Sequence, residues 1–558
     1  MKLNYKRTIF VGFAFFLICA FWQAYDNTIP LILTNKFGLS QTASGVVMAL
    51  DNILALFMLP LFGALSDKCR HRLGKRTPFI LIGTIVAAVV LVGLTFADNM
   101  QLKQISKVSK IDDPAAMTEI YENEKDAELQ TPDGKKFVLS KLFSEKEEFC
   151  KIPSQIIVED GEVKAASGET EGEPYEIQPL VDRGILTENQ ADAVTNHKEG
   201  KAFTNPVYSY YVAPARQAYA WNVTKSSSTP LIFFMILLLI VLVSMSTFRS
   251  PAVALMPDVT IKPLRSKANA IINLMGSAGG ILVLALGIVF ATSSVRNSMM
   301  SYTGYFGIIA GIMLLALGIF MWKVREPKFA AEMQEQSRAY GIDDNIGDEQ
   351  EVGSRKLSKE EKRSLFFLLA SIVLWFMGYN AVTSKYSVYA SNVLHKDYNL
   401  TLIIAQAAAI ISYLPVGFIA SRIGRKKTIL AGIIMLTTAF GVACFLRQSS
   451  PTMLMNAMFA LAGIGWATIN VNSFPMVVEL CKGGDVGKYT GFYYTASMAA
   501  QTVTPMISGR LMDKIAWTTL FPYATVFVAL AFVTMLFVMH GDNKPTAKKG
   551  LEALNVED

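Results

Sequence analysis

Apolar stretches of about twenty residues recur twelve times along this chain, and they limit what it can fold into. Each is long enough to cross a hydrocarbon core of roughly 30 Å as a helix. Because lipid offers the backbone no hydrogen-bonding partner, such stretches must be helical. The pattern predicts an all-α membrane protein with twelve transmembrane helices. The predicted spans are residues 9–33, 41–65, 78–97, 230–248, 269–291, 302–323, 364–390, 401–420, 428–446, 452–475, 489–509 and 517–540.

Composition agrees with a membrane protein. Only 17% of the residues are charged, against about 25% in soluble proteins. The five cysteines have neither a metal-binding spacing nor a disulfide framework, so we expect no metal site and no cofactor. Three basic residues precede the first apolar run, as in a signal peptide, but the run continues to about Leu33. We therefore expect a retained first helix.

Basic residues in the short connections predict the orientation. They cluster between spans 2 and 3, between spans 4 and 5, and between spans 8 and 9. By the positive-inside rule these loops are cytoplasmic, and so are both termini. We expect a multi-pass protein of the cell (inner) membrane, with residues 99–228 as an extracytoplasmic insertion.

That insertion is acidic, with 15 lysines and arginines against 22 acidic residues, whereas the whole chain has a net charge of +7. The excess of bases therefore belongs to the cytoplasmic face and indicates no nucleic-acid partner. The insertion is either a small folded cap or a loose excursion, and partial folding is favoured. The predicted division is an N-terminal half 1–323 that contains the insertion, a cytoplasmic linker 324–362, a C-terminal half 363–540 and a cytoplasmic tail 541–558.

A loop motif occurs twice, each time between the second and third span of a half. Topology alone explains basic inside loops but not the matched glycine spacing, so the repeat indicates internal duplication. The leading glycine of each copy permits close helix packing, and the later one permits a sharp turn. Asp67 is predicted to latch the cytoplasmic side through an opposing helix end or a base. The motif residues are Gly63, Asp67, Lys68, Gly74, Lys75 and Arg76 in the first copy, and Gly417, Arg422, Gly424 and Arg425 in the second.

The double motif resembles the signature of the major facilitator superfamily, and the resemblance covers all twelve spans. The stretches 66–69 and 74–80 look like the Ser-Asp-Arg-Cys and Gly-Arg-Arg-Arg-Pro-Phe-Ile pattern of the sucrose-transporter branch, related to the glycoside–pentoside–hexuronide:cation symporters. The resemblance implies two pseudo-symmetric six-helix halves, alternating access and a sugar or glycoside as substrate.

The chain departs from these relatives at two places. Val253 occupies the position of an arginine in the branch's motif after span 4. Asp51 stands alone in span 2, where the melibiose-type carriers have paired acids one turn apart. Neither the sodium site nor sucrose as substrate can therefore be carried over.

Ionisable groups in spanning helices are costly, by about 2.5–3.5 kcal/mol on insertion scales, and are functional candidates by default. Asp26 and Asp51 fall at nearly the same depth on consecutive antiparallel helices. Two carboxyls so placed could share a proton, so we predict that they form the proton-coupling and sugar-hydroxyl site. The alternatives are a local hydrogen bond near the surface for Asp26 and a hydrogen bond with Asn52 for Asp51.

Other span residues could complete that site. Lys385 is predicted either to pair with Asp26 or Asp51 as an outer gate or to extend to the membrane interface. Gln23, Asn52 and Asn380 are candidates for hydrogen bonds to sugar hydroxyls, although such residues also serve helix packing. Four further charged residues are placed at cytoplasmic span ends, with gate or topology roles: Arg249, Asp258, Glu479 and Asp485.

The sequence thus favours a secondary active transporter, not an enzyme, that imports a neutral sugar or glycoside by proton symport. Sucrose and maltose-like sugars are examples, and Na⁺ remains an alternative coupling ion. The competing predictions are an exporter of drugs or metabolites with the same fold and a non-transporting sensor. The expected partners are the small-molecule substrate and the lipid bilayer, and the chain is expected to be a monomer.

Overall fold

Twelve long helices make up most of the fold. The computed structural model describes residues 3–261, 264–339, 358–478, 480 and 486–540. The long helices are α1 (Tyr5–Leu31), α2 (Gln41–Lys68), α3 (Thr77–Gln104), α4 (Thr229–Asp258), α5 (Arg265–Val289), α6 (Thr303–Lys323), α7 (Lys359–Tyr389), α8 (Tyr398–Ile423), α9 (Arg425–Ala443), α10 (Thr452–Val478), α11 (Val486–Lys514) and α12 (Leu520–Leu536).

Each predicted span coincides with one of these helices, so the all-α fold class is confirmed. Among the described residues, ten helices are long and apolar enough to cross a membrane by length and composition. The other two are α8, whose apolar part is Tyr398–Tyr413, and α11, which is more polar. π-helical turns extend α1 and α7, at Ile32–Lys36 and Ala390–Leu394.

One helix is clearly longer than its predicted span. The apolar run of span 4 ends at residue 248, but α4 continues to Asp258 through Pro251 and Pro257. Spanning helices tolerate proline because neighbouring helices and side chains satisfy the freed backbone groups. The extension carries Arg249 well inside α4 instead of leaving it at the end.

The helices form two bundles, each around its own apolar core. Buried residues from α1 to α6 make one core, and residues from α7 to α12 make the other. The chain alternates direction, so every long helix has one end on each of two faces. We call the end from which residues 105–228 project the insertion face, and the opposite end the linker face.

Residues 105–228 fold into a compact cap with its own buried apolar core, which includes Ile120, Phe143 and Tyr211. Two short strands pair antiparallel, and three others form a sheet with the order β4-β3-β5. The strands are β1 (Leu129–Gln130), β2 (Lys136–Phe137), β3 (Gln155–Glu159), β4 (Glu162–Ala165) and β5 (Phe203–Thr204). The helices of the cap are Pro114–Glu124, Leu139–Leu142, Lys146–Cys150, Gln178–Asp182, Glu188–Thr195 and Ala213–Ser226.

The cap contacts both bundles. On the N-terminal side, Gln101 of α3 donates to the Thr224 hydroxyl at 2.9 Å. On the C-terminal side, the β1–β2 hairpin meets the α11–α12 corner, where the Trp517 amide donates to the Pro132 carbonyl at 2.7 Å. Gln448 also donates to the Thr204 carbonyl at 2.6 Å. The cap therefore bridges the two halves at the insertion face.

On the linker face, a helix at Glu326–Ala339 follows α6 within the predicted linker segment. Residues 340–357 of that segment, the predicted tail 541–558, Glu479 and Asp485 lie outside the described residues.

Candidate substrate and proton site

A polar cavity of about 420 Å³ lies between the two bundles, and we call it the central cavity. Its volume falls in the range of roughly 300–1,000 Å³ that is usual for small-molecule sites. Side chains of both bundles line it. They include Cys19, Trp22, Gln23, Asp26, Asp51, Asn52 and Arg249 from the first bundle, and Asn380, Thr383, Ser384, Gln406 and Gln501 from the second.

All the charged groups of the central cavity come from the N-terminal bundle. Asp26 of α1, Asp51 of α2 and Arg249 of α4 line the same space. The Asn52 amide donates to Asp51 Oδ1 at 2.8 Å, within one helix. The Arg249 guanidinium lies 5.5 Å from the centre of the Trp22 ring, within the range of a cation–π contact. The structure thus brings the two predicted carboxyls together and adds a cation.

The C-terminal bundle contributes neutral hydrogen-bonding groups. The Asn380 amide nitrogen donates to the Phe376 carbonyl at 2.8 Å, one turn back on its own helix. Gln406 donates to the side-chain oxygen of Gln23 and so joins the bundles across the cavity. On the N-terminal side of the cavity, the Trp22 indole N–H is buried and has no hydrogen-bond partner among the described residues. Such groups suit a solute that offers several hydroxyls.

Lys385 does not lie where it was predicted. Its side chain is fully buried, so it does not extend to the interface, and its ammonium donates to the Gln41 carbonyl at 2.8 Å instead of meeting Asp26 or Asp51. The reason is that Lys385 lies near the insertion-face end of α7, beside the first turn of α2.

Asp513 of α11 binds that same turn. Its carboxylate accepts from the amides of Gln41 at 2.8 Å and Thr42 at 2.6 Å, and from the Thr42 hydroxyl at 2.5 Å. A carboxylate is stabilised at a helix N-terminus by the free N–H groups and the helix dipole. We call Lys385, Asp513, Gln41 and Thr42 the insertion-face latch, since two residues of one bundle bind the end of a helix of the other.

Two glycines allow the helices to meet there. A Cβ at Gly45 would lie 2.0 Å from the Pro505 carbonyl oxygen, and one at Gly509 would lie 2.2 Å from that of Gln41. Helices α2 and α11 are therefore in backbone contact, and the structure is closed at the insertion face.

The first loop motif holds a network inside one bundle, in which Asp67 meets a base, one of the two partners predicted for it. Arg76 donates to Asp258 at 2.8 Å and also pairs with Asp67. Asp258, at the linker-face end of α4, therefore binds the first motif. Gly63 faces α4, where a Cβ would lie 2.9 Å from the Ser250 hydroxyl, so this glycine permits the close helix packing that was expected of it.

Glu326 caps the start of α3, a role that the sequence did not suggest. Its carboxylate accepts from the amides of Lys75 at 2.8 Å, Arg76 at 3.0 Å and Thr77 at 2.8 Å. Gly74 has a φ of +116°, and a Cβ there would lie 2.3 Å from that carboxylate. A glycine at this turn is thus needed for the docking of Glu326. Lys68, another residue of the first motif, is the last residue of α2.

The second motif makes a tighter turn. Gly424 alone separates α8 from α9, at a φ of +94°. Gly417 and Arg422 lie in the last turns of α8, and Arg425 begins α9.

The central cavity has a simple charge balance. Two ionised carboxyls and one guanidinium leave a net charge of −1, and one bound proton makes the lining neutral. Two six-helix bundles around a polar cavity, with groups from both bundles, are the architecture of a secondary transporter that exposes one site to either side of the membrane in turn.

Comparison with known proteins gives the family. The profile described as Major Facilitator Superfamily matches residues 217–407 and 397–555, which together exceed half of the chain. The chain therefore belongs to the major facilitator superfamily, and it is a multi-pass membrane transporter. A second profile, described as MFS/sugar transport protein, matches residues 10–105.

Individual relatives are more distant. A putative glycoside/cation symporter, YagG of Escherichia coli strain K12, is 38% identical over 79 residues, which are 14% of this chain and only 17% of that protein. The inward-open xylose transporter XylE from E. coli covers 99% of both chains with a TM-score of 0.54 and 14% identity. A D-xylose–proton symporter structure has a TM-score of 0.52 and 14% identity, over 96% of this chain and 99% of its own. At these identities the two structures support the fold alone.

Proposed function

We propose that this chain imports a neutral sugar or glycoside in symport with a proton, by alternating access to the central cavity. The observation that carries the proposal is the composition of that cavity. Two carboxyls and a guanidinium lie on one side, and amides and hydroxyls lie on the other. Carboxyl and amide groups bind sugar hydroxyls, and an indole or phenol ring offers a flat apolar face.

The charge balance favours a proton as the coupling ion. Charged groups inside a membrane are costly, so a lining with a net charge of −1 gains from one proton. Asp26 and Asp51 are the groups that can take it, and Arg249 is placed to balance the carboxylate that remains.

We place the insertion face outside the cell. The cap is acidic, whereas the connections on the linker face are basic, as the positive-inside rule requires of cytoplasmic loops. A cysteine introduced at Glu171, in an exposed turn of the cap, should react with a membrane-impermeant maleimide in intact cells. Reaction only after the cells are opened would reverse the orientation.

Transport by Asp51→Asn tests the coupling. Purified protein in liposomes should accumulate radiolabelled sucrose or maltose when a pH gradient is applied. Asp51→Asn should lose this accumulation but retain counterflow, because exchange of solute needs no release of a proton. Asp192→Asn, at an exposed site on the cap, is the matched control and should behave like the unmodified chain.

The possible outcomes separate the candidate functions. Normal gradient-driven accumulation by Asp51→Asn would exclude the coupling role of that carboxyl. If no sugar moves while a lipophilic dye is expelled, the chain is an exporter.

A further inference from the structure

A second cavity lies on the insertion-face side of the latch, roofed by the cap. Its volume is about 410 Å³, close to that of the central cavity. The cap supplies Gln217 and Trp221, the C-terminal bundle supplies Asn392 and Trp517, and Asp513 of the latch forms part of the floor. We call it the antechamber.

The antechamber is separate from the central cavity. On α11, Pro505 lines the central cavity and Asp513 lines the antechamber. These positions are about 12 Å apart along the helix at 1.5 Å per residue. The bonds of Lys385 and Asp513 to the first turn of α2 lie between the two spaces. The two cavities therefore lie in series on either side of the closed latch.

We propose that the antechamber is a second solute site, which holds a neutral polyhydroxylated molecule before the latch opens. The inference rests on the proposed function, because it assigns both cavities to one class of solute. It adds a binding site and gives the cap a function, namely to enclose that site.

The charge state of the lining selects a neutral ligand. Among the described residues, three charged side chains line the antechamber, and each is hydrogen-bonded within the protein. Asp513 is held by the start of α2, Glu128 pairs with Lys136 at 3.1 Å, and Arg216 donates to backbone carbonyls of the cap. With Glu128 paired to Lys136, Asp513 and Arg216 carry opposite charges, so these lining groups have no net charge that would favour an ion.

Two lining amides already use their nitrogen within the protein. The Asn392 nitrogen donates to the Val388 carbonyl at 2.9 Å, and the Gln217 nitrogen donates to the Leu39 carbonyl at 3.1 Å. Their amide oxygens are thus left for incoming hydroxyls. The buried Ser391 hydroxyl has no hydrogen-bond partner among the described residues. Acceptor oxygens beside two indoles are the combination that a sugar ring requires.

The site also depends on the conformation of the whole chain. Trp221 is bound to the N-terminal bundle through the cap, whereas Asn392 and Trp517 belong to the C-terminal bundle. When the bundles separate at the insertion face, the two walls of the antechamber move apart. A solute held there would be released next to the opened latch.

Binding stoichiometry tests the proposal. Sucrose and maltose are titrated calorimetrically into the full chain in lipid nanodiscs. We expect two molecules bound per chain, one of them lost in Asn392→Ala and the other lost in Asn380→Ala, which removes an amide of the central cavity. Asn392→Ala removes a side chain that bonds only to its own helix, so folding should be preserved. Trp322→Ala, an exposed indole on α6, is the control and should retain both.

Transport kinetics give a second measurement. For uptake from the insertion face, Asn392→Ala and Trp517→Ala should raise KM about tenfold with little change in kcat, and Trp517→Phe should recover part of the loss.

The results distinguish the antechamber proposal from the proposed function. One bound molecule per chain, lost in Asn380→Ala but unaffected by Asn392→Ala, would overturn the antechamber and leave the proposed function intact. A molecule lost in Asn392→Ala while Asn380→Ala changes nothing would support the antechamber and contradict the placement of the transported sugar in the central cavity. Binding of neither sugar would overturn both.

Discussion

Arg249 is the residue on which the interpretation of the central cavity changed most. It was predicted to lie at a cytoplasmic helix end, and it instead shares a cavity with Asp26 and Asp51. Its guanidinium is the one positive charge among the described residues that line this cavity. Without it the two carboxylates would have no counter-charge.

Arg249→Gln tests that role. We expect gradient-driven sugar accumulation to fall about tenfold or more, the effect of losing about 1.4 kcal/mol or more of stabilisation. Counterflow should survive, because it does not require the proton to leave. Uptake under a pH gradient and counterflow are measured on the same liposomes.

Two control variants help to interpret the result for Arg249→Gln. Arg249→Lys keeps the charge and should retain part of the activity. Arg183→Gln breaks an ion pair with Glu148 on the cap, away from either cavity, and should change neither assay. Equal loss of accumulation and counterflow in Arg249→Gln would mean that the arginine binds the solute and has no separate role in coupling.

The sequence predicted well those residues whose depth in the membrane can be counted along a single helix. Asp26 and Asp51 could be placed at one depth by counting along α1 and α2. Arg249 was misplaced because the apolar run stops at Phe248 and two prolines follow. The apolar residues that follow Arg249, from Ala252 to Met256, are a signal that could have extended the span.

Contacts between the bundles could not be predicted in this way. Lys385 donates to a backbone carbonyl of a helix in the other bundle. Counting along α7 gives the depth of Lys385, but it does not give the position of α7 relative to α2. Glu326 was missed for a related reason, since it binds the start of α3 from a segment far along the chain.

At the scale of elements, the cap is the part that sequence reasoning described least well. Its alternation of short helices, strands and turns has no single period, so the sequence favoured partial folding without deciding between a folded cap and a loose excursion. The structure has a continuous apolar core there, and charged residues are bound at its edge.

Glu124 ends one helix of that cap and makes its stability depend on pH. Burial raises the pKa of its carboxyl, although the hydrogen bond from Asn222 at 2.9 Å acts in the opposite direction. A raised pKa means that the folded cap prefers the protonated form. Its contribution to stability is therefore complete below the unfolded pKa of about 4.3 and is lost as the pH rises through the folded pKa.

Glu124→Gln should remove this dependence. Hydrogen exchange of the helices Pro114–Glu124 and Ala213–Ser226, corrected for intrinsic rates, should show greater protection than in the unmodified chain at pH 7 and similar protection at pH 4. Glu119→Gln is the opposite case, because Lys107 lowers the pKa of Glu119, and it should not increase protection at pH 7. Reduced protection of Glu124→Gln at pH 7 would contradict the assignment.

On the scale of the whole molecule, the cap is bound to one bundle through α3 and α4 and touches the other through its β1–β2 hairpin and β5. Opening at the insertion face must break the hairpin contact with the α11–α12 corner. The cap therefore favours the conformation that is closed on its own side.

Gly134→Ala tests this bias. A Cβ at Gly134 would lie 2.0 Å from the Ile515 carbonyl oxygen, and the φ of +91° also disfavours a side chain. The hairpin should be displaced and more molecules should open at the insertion face. Spin labels on Lys107 and Ser449, in a cysteine-free background, should then report a longer mean distance than in the unmodified chain.

Gly161→Ala separates the two effects of that substitution. Its φ is +77°, but nothing lies within 4 Å of the added carbon. It reproduces the backbone strain in the cap without pushing on the other bundle. An equal change of distance in both variants would mean that strain in the cap, and not contact with the corner, sets the equilibrium.

The compact cap also has a practical consequence for imaging. Small transporters are difficult to align in single-particle cryo-electron microscopy, because a detergent micelle or nanodisc hides most of the protein. This chain has a compact, asymmetric mass outside its spanning helices, joined directly to the ends of α3 and α4. The cap can thus serve as a built-in fiducial marker, and antibody fragments against its outer surface would enlarge that marker without entering either cavity.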